Sequence, residues 1–276
     1  EIAPRSAEIG ARTRFVYSVL NKSDTGFQRG FDEFEVTTPL RVEEIGRLRI
    51  MDGDTVLHEE DFSGISINSP PVEKGVFSVV EVSDEGFRVG FPLIEADGIR
   101  LEIEFENGVL RYGTNFVGRA FNSSLETTIG QQATPGNVAD LSEVGVVDEN
   151  IQPEGTYLST NLSVAVPISD VLLTNTFTDP PIFTPNGDEL NDIVTFGYDI
   201  TNIAKPSLVE VKIFDLKGDM ILQLVEEDLV SGRYRKEWDG RDTNGRLVSP
   251  GHYPVVISLE AGTGTVSDVQ IARIAY

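Results

Sequence analysis

The densest group of side-chain oxygens in the sequence is Asn186, Asp188, Asn191 and Asp192, which lie within a single short stretch. Oxygen donors packed into one turn suit the hard, flexible coordination of calcium. The candidate metal ligands are therefore Asn186, Asp188 and Asp192, with a structural and not a catalytic role. A calcium loop of the EF type would carry an acid where Thr184 stands and a glycine where Glu189 stands. The same residues also fit a turn at Pro185-Asn186-Gly187 whose Asn and Asp side chains bond nearby backbone amides. Both readings stay open at the level of sequence.

Other groups with chemical potential are sparse. The acidic runs Glu59-Glu60-Asp61 and Glu226-Glu227-Asp228 could bind cations or supply paired carboxylates for glycoside hydrolysis. With 45 acids in the chain, solvated strand ends and turns are the simpler account, and charged edges discourage sheets from joining. His58 and His252 are the only two histidines, and neither has a second at ligand spacing. There is no cysteine, no Gly-x-Ser-x-Gly turn, no phosphate loop and no dinucleotide fingerprint. The expectation is a protein that is not an enzyme and requires no cofactor. Phe15, Tyr17, Phe91, Phe105, Tyr112 and Phe116 could form a sugar-stacking platform, but aromatics at strand periodicity more often fill a core. Asn21, Asn122 and Asn161 each begin an Asn-x-Ser sequon.

What must position these groups is a chain of 276 residues with 22 basic and 45 acidic side chains, a net charge of −23. That length suits two domains, and that charge argues against nucleic acid or an anionic membrane as partner. No apolar run reaches the ~20 residues of a membrane helix, so no membrane insertion is expected. The chain begins at Glu1 without methionine and reads as an exported protein whose signal peptide has been removed.

The dominant pattern is alternation with period two, the signature of strands with one buried face. Phe15, Tyr17 and Val19 form one such set, and Ile99, Leu101, Ile103 and Phe105 alternate with Arg100, Glu102 and Glu104. Val76, Ser78, Val80 and Val82 suggest another, followed by Phe87, Val89 and Phe91, and later by Leu162, Val164, Val166 and Ile168. Asp52-Gly53, Asp97-Gly98 and Asn107-Gly108 read as turns, which predicts a meander of hairpins. Only Asp140 to Val147 is compatible with a helix, inside a loop-like stretch from Leu125 to Thr160. Past Thr178-Asp179-Pro180-Pro181 the strand pattern resumes at Val194–Ile200, Val209–Ile213, Met220–Leu224, Tyr253–Leu259 and from Val266 onward. Short strands at this density predict an immunoglobulin-like sandwich with Trp238, Val211, Ile213, Phe196 and Ile257 in its core. The expected fold is all-β: a first β-sandwich over 1–165 with long loops, a linker over 166–181, and a second sandwich over 182–276.

Residues 181–276 resemble the immunoglobulin-like domain family named for the flagellar hook-capping protein FlgD. The resemblance rests on motifs in order: Phe183-Thr184-Pro185-Asn186-Gly187-Asp188 with Asn191-Asp192, then Val211-Lys212-Ile213-Phe214-Asp215-Leu216-Lys217-Gly218, Trp238-Asp239-Gly240-Arg241-Asp242 with Gly245, and Pro250-Gly251-His252-Tyr253. Glu189 and Asp219 depart from its usual residues. The amino-terminal part is similar to regions that precede such modules in uncharacterised exported proteins. The resemblance implies a terminal module of an exported bacterial protein, at the cell surface or outside the cell. The leading expectation is a structural subunit that meets other copies of itself or cell-surface components through strand edges. A glycan-binding or adhesion module and a carboxy-terminal sorting domain are the alternatives. Glu1 to Thr13 reads as a free arm, so either that arm, through Ile2 or Ile9, or the terminal strand ending at Tyr276 is expected to pair with a neighbouring subunit.

Overall fold

The computed structural model describes residues 1–22, 30–125, 130–135, 162–167, 170–262 and 264–275. They are all-β, with no helix among them, and they divide into two compact units, Glu1–Pro167 and Ile168–Tyr276. The helix-compatible stretch Asp140 to Val147 lies outside the described residues, as do Asn161 and Tyr276.

The first unit contains β1 (Ile2–Ala3), β2 (Arg12–Leu20), β3 (Phe31–Thr37), β4 (Glu44–Asp52), β5 (Thr55–Asp61), β6 (Val72–Lys74), β7 (Phe77–Ser83), β8 (Gly86–Ile94), β9 (Ile99–Gly108), β10 (Thr114–Asn115), β11 (Gly118–Phe121), β12 (Gln131–Gln132) and β13 (Ser163–Val164). One sheet runs β1-β2-β9-β4-β5 and another runs β12-β11-β3-β8-β7-β6. Their inner faces meet through the alternating residues that the sequence singles out. Phe15 and Tyr17 from β2 and Leu101, Ile103 and Phe105 from β9 join Phe34, Phe87 and Val89 in one core, all buried. Phe15, Phe105 and Phe116 form a ring cluster with centroids 5.2–5.9 Å apart.

Four expectations for this unit are corrected. Glu1 to Thr13 is not a free arm. Ile2 pairs with Tyr17 and is fully buried, and around a parallel bridge from Ser6 to Ala165 the Ala7 amide donates to Ala165 O and the Ala165 amide to Arg5 O. An isoleucine that finds a socket in its own sheet gains more by filling it than by hanging in water. Asn107-Gly108 is no turn but the end of β9, where Asn107 pairs with Thr13 of β2 and its buried side-chain Nδ2 donates to the Leu40 carbonyl at 2.9 Å. Asp97-Gly98 does turn the chain, with Gly98 at φ +83°, yet β8 and β9 belong to different sheets, so the meander is broken there. In β7 the buried set is Phe77 and Val79, and Val76 is exposed. Both phases of that strand are apolar, the larger Phe77 takes the core, and a register shift between Val79 and Glu81 then turns Val82 inward.

The second unit contains β14 (Leu173–Asp179), β15 (Val194–Ile200), β16 (Ser207–Phe214), β17 (Met220–Leu229), β18 (Gly232–Trp238), β19 (Gly251–Ala261) and β20 (Gly264–Ile274). A three-stranded sheet β14-β15-β18 and a four-stranded sheet β17-β16-β19-β20 make an immunoglobulin-like sandwich. Trp238, Val211, Ile213, Phe196 and Ile257 are all buried in its core, as expected from their alternation. The expected linker over 166–181 is corrected: Leu173–Asp179 is a strand hydrogen-bonded to β15. Pro180-Pro181 ends that strand without excluding it, since a proline past the last pair removes no ladder bond. The last strand is bridged in parallel to Phe183, with Phe183 N–H donating to Arg273 O at 3.0 Å and Ala275 N–H to Phe183 O at 3.1 Å.

Candidate functional site

The loop before β15 gathers the predicted metal ligands and gives every one of their carboxylate oxygens an internal partner. Asp188 Oδ1 accepts from Leu190 N–H at 2.9 Å and Oδ2 from Asn186 Nδ2 at 3.0 Å. Asp192 accepts from Gly187 N–H and Glu189 N–H, each at 2.7 Å, and Asn186 Oδ1 accepts from Asp188 N–H at 3.0 Å. Asn191 contributes its main-chain carbonyl, to Thr184 N–H at 2.7 Å, and not its side chain. Gly187, Glu189 and Asn191 stand at φ +82°, +67° and +55°, so the chain folds tightly enough to aim successive amides inward. The Leu190 amide and the Asn186 side chain hold the Asp188 carboxyl below the usual aspartate range. This is the geometry of interlocked Asx turns. A cation entering it would compete with those amides for Asn186, Asp188 and Asp192.

The two acidic runs are placed in strands. On β5, Glu59 stands opposite Arg49 and Asp61 opposite Arg47, while Lys74 Nζ donates to the Asp61 carbonyl. Ser63 lowers the Asp61 pKa through its hydroxyl and its amide. On β17, Glu226 accepts from Gln223 at 2.7 Å and Glu227 holds Lys236 through both oxygens at 3.0 Å. His58 is an exposed residue of β5 opposite Ile50, and His252 an exposed residue of β19 opposite Arg273. Phe15, Tyr17, Phe91, Phe105 and Phe116 are core residues and offer no face to a sugar, which leaves Tyr112 as the exposed member of that group. The amides of Asn21 and Asn122 donate to Ala96 O and Gly30 O.

The strongest polar constellations are ones that sequence motifs do not announce. Asp199 is buried on β15 and accepts two parallel bonds from Arg233, at 2.9 and 3.0 Å, and a third from Asn175 Nδ2 at 2.7 Å. Asn175 reaches it from a bulge in β14, at φ +49°. Glu102, also buried, lies between Arg49 at 2.7 Å and Arg100 at 2.9 Å. On the same sheet Arg12 and Arg14 bridge Glu44, Glu104 and Glu106. On the other sheet Arg88 spans Glu33, Glu35 and Glu81 and lies 4.4 Å over the Phe121 ring, and Arg119 bonds Glu35. The available signal was charge of alternating sign at period two in neighbouring strands, which only the register could convert into pairs. Among the described residues, no cluster of three or more His, Cys, Asp or Glu side chains is placed to hold a metal.

No family model matches the chain, and no curated protein matches it. Solved structures give distant likenesses. PorZ, a surface component of the type-IX secretion system of Porphyromonas gingivalis, is 20% identical over 37% of this chain and 12% of its own, with a TM-score of 0.26. Dimeric latent PorU from Porphyromonas gingivalis is 13% identical over 99% of this chain and 19% of its own, at 0.32. The pilus 2b backbone protein of group B streptococcus is 8% identical over 99% of this chain and 88% of its own, at 0.31. The chain thus spans under one fifth of the PorZ and PorU structures. Likenesses at these scores bring no activity to it.

Proposed function

We propose that this chain is a non-enzymatic structural part of an exported bacterial protein, acting at the cell surface or outside the cell and joining copies of itself or surface components through strand edges. The observation that carries this reading is where its polar groups spend their bonds. Asp188 and Asp192 cap a loop, Asp199 and Glu102 hold arginines within a sheet, and Arg12, Arg14 and Arg88 link glutamates of neighbouring strands. The loop carboxylates and the buried acids are thereby engaged in keeping the fold. The ordered resemblance to the FlgD-type module supports the exported setting. Calcium has a place in this reading only as a brace for the Asn186–Asp192 loop.

Negative-stain microscopy of the source cell surface and light scattering on the purified chain test the proposal. Assemblies that contain the chain support it. Monodisperse monomers at low and high salt, with and without calcium, and no assemblies on cells, would overturn it.

A further inference from the structure

A sheet edge is a row of unpaired main-chain donors and acceptors, and folded proteins blunt such rows with brevity, bulges, charge or cover. Nearly all edges among the described residues are blunted. β1 and β12 have two residues each and β6 has three. β5 is interrupted at Leu57, where the register shifts between Ile50 and Met51, and it ends in Glu59-Glu60-Asp61. β14 is broken between Thr174 and Phe177. β17 has two register shifts and carries Glu226-Glu227-Asp228. β18 carries Arg233, Arg235, Lys236 and Glu237.

β20 is different. It runs for 11 residues in unbroken register with β19, and Asp268 and Arg273 are its only charges. Its outward side chains include Val269, 56% exposed, and Ile271, 46% exposed, beside half-buried Val256 and Pro254 on β19. Phe183 occupies the edge only at its end, through Arg273 and Ala275. β14 packs against β20 on the face opposite to Val269, where the Thr176 hydroxyl bonds both Gln270 and Asp268. From Gly264 to Ala272 the edge has no main-chain partner beyond β19 among the described residues.

We propose that β20 pairs antiparallel with β20 of a second copy across a two-fold axis at Val269, extending two four-stranded sheets into one. This rests on the structural reading above and names its contact. Two-fold pairing keeps each face continuous only when residues of equal parity meet. A centre at Gln270 or beyond would run into the stretch taken by Phe183, and a centre at Asp268 would set two carboxylates against each other. With the centre at Val269, Val269 meets Val269 of the second copy, Ser267 meets Ile271, Asp268 meets Gln270 and Val266 meets Ala272. The exposed apolar stripes of the two copies then become neighbours. Main-chain bonds and this stripe act against the repulsion between two chains of charge −23, so pairing strengthens with salt.

The absence of cysteine makes the test direct. Val269→Cys is introduced into the full chain and oxidised. Directly opposed residues in an antiparallel pair lie within disulfide reach, so a cross-linked dimer is expected. Thr265→Cys is the register control: its opposite is Arg273, so two such thiols sit eight residues apart, roughly 27 Å, and must not cross-link. Melting and circular dichroism confirm that both variants fold, and Val269→Lys, which sets two like charges together, is expected to abolish the dimer seen by sedimentation. If the chain associates but the Val269→Cys thiol stays free, or the Thr265→Cys thiol cross-links equally, this contact is overturned and the structural reading stands. If the chain remains monomeric at every salt concentration and neither thiol cross-links, this contact is overturned, and the structural reading falls with it only when the source cells also show no assemblies.

Discussion

Replacing Trp238 tests the core of the second unit at its largest side chain. The indole is 2% exposed, packs on Phe183 and Tyr253 with ring centroids 5.6 Å away in each case, and donates Nε1–H to the Arg241 carbonyl at 2.8 Å. Trp238→Ala removes the ring from between two others and leaves that carbonyl without its donor, at a cost of about 3–5 kcal/mol. A domain of this size has roughly 5–15 kcal/mol in total, so the variant stands near the edge of folding. Trp238→Phe keeps a ring in the socket and loses mainly the hydrogen bond and some volume, about 1–2 kcal/mol. Urea denaturation followed by circular dichroism reads both, since the chain has a single tryptophan and loses its fluorescence reporter in either variant. With m of roughly 2 kcal/mol/M, the alanine variant moves the second-unit midpoint down by roughly 2 M and the phenylalanine variant by roughly 0.5–1 M. Equal midpoints for the two variants, or an alanine cost below about 1.5 kcal/mol, would refute the account of this core.

Ile2→Asp, which places a charge in a fully buried position paired with Tyr17, is expected to lower the melting point of the first unit and leave the second unchanged; an unshifted first transition would mean that the segment is not docked. Because the carboxylates of the Asn186–Asp192 loop are engaged by its own amides, melting midpoints in calcium and in chelator are expected to coincide, and a rise with calcium that chelator reverses would assign a cation there. Burial opposes ionisation of Glu106, but bonds from Arg14 and Arg12 outweigh it and lower its pKa, as hydrogen bonds do for Asp61 and Asp268. A carboxylate with a depressed folded pKa stabilises above its unfolded value and loses that contribution as pH falls, so stability should hold down to roughly pH 5 and decline through pH 4 to 3. Arg14→Gln should lower the stability of the first unit near neutral pH and make that decline shallower, and a flat wild-type profile between pH 5 and 3 would contradict the pairing. Burial raises the phenol pKa of Tyr17, Tyr198 and Tyr234, so an ultraviolet titration should show at least these three tyrosines resisting ionisation past pH 10 until the fold opens.

Where one phase of a strand carried the larger apolar side chains and the other mostly small or polar ones, alternation alone placed the side chains. Val194, Phe196, Tyr198 and Ile200, and Tyr253, Val255, Ile257 and Leu259, are buried as read. The reading failed where two phases competed or a tertiary partner decided. β7 is apolar on both faces, so the size of Phe77 and a register shift chose between them. Asn107 stays in a strand beside Thr13 of β2, and Leu40, far away in sequence, accepts from its side chain. Residues 1–12 carried no alternation, and Ile2 is held by Tyr17 and its neighbours rather than by any local pattern. In the candidate site the loop donors were legible as a turn-forming set, whereas Asp199, Arg233 and Asn175 come from three strands and meet only through register and a bulge.

In the first unit the first and last segments are tied by a parallel bridge, Ser6 to Ala165. A pull on both ends of that unit drives the bridged segments past each other. Their main-chain bonds, Ala7 to Ala165 and Ala165 to Arg5, lie across the direction of sliding and carry tension together instead of opening in succession. In the second unit β14 precedes Phe183, so the same pull reaches the β14–β15 ladder before the bridge from Phe183 to Ile274.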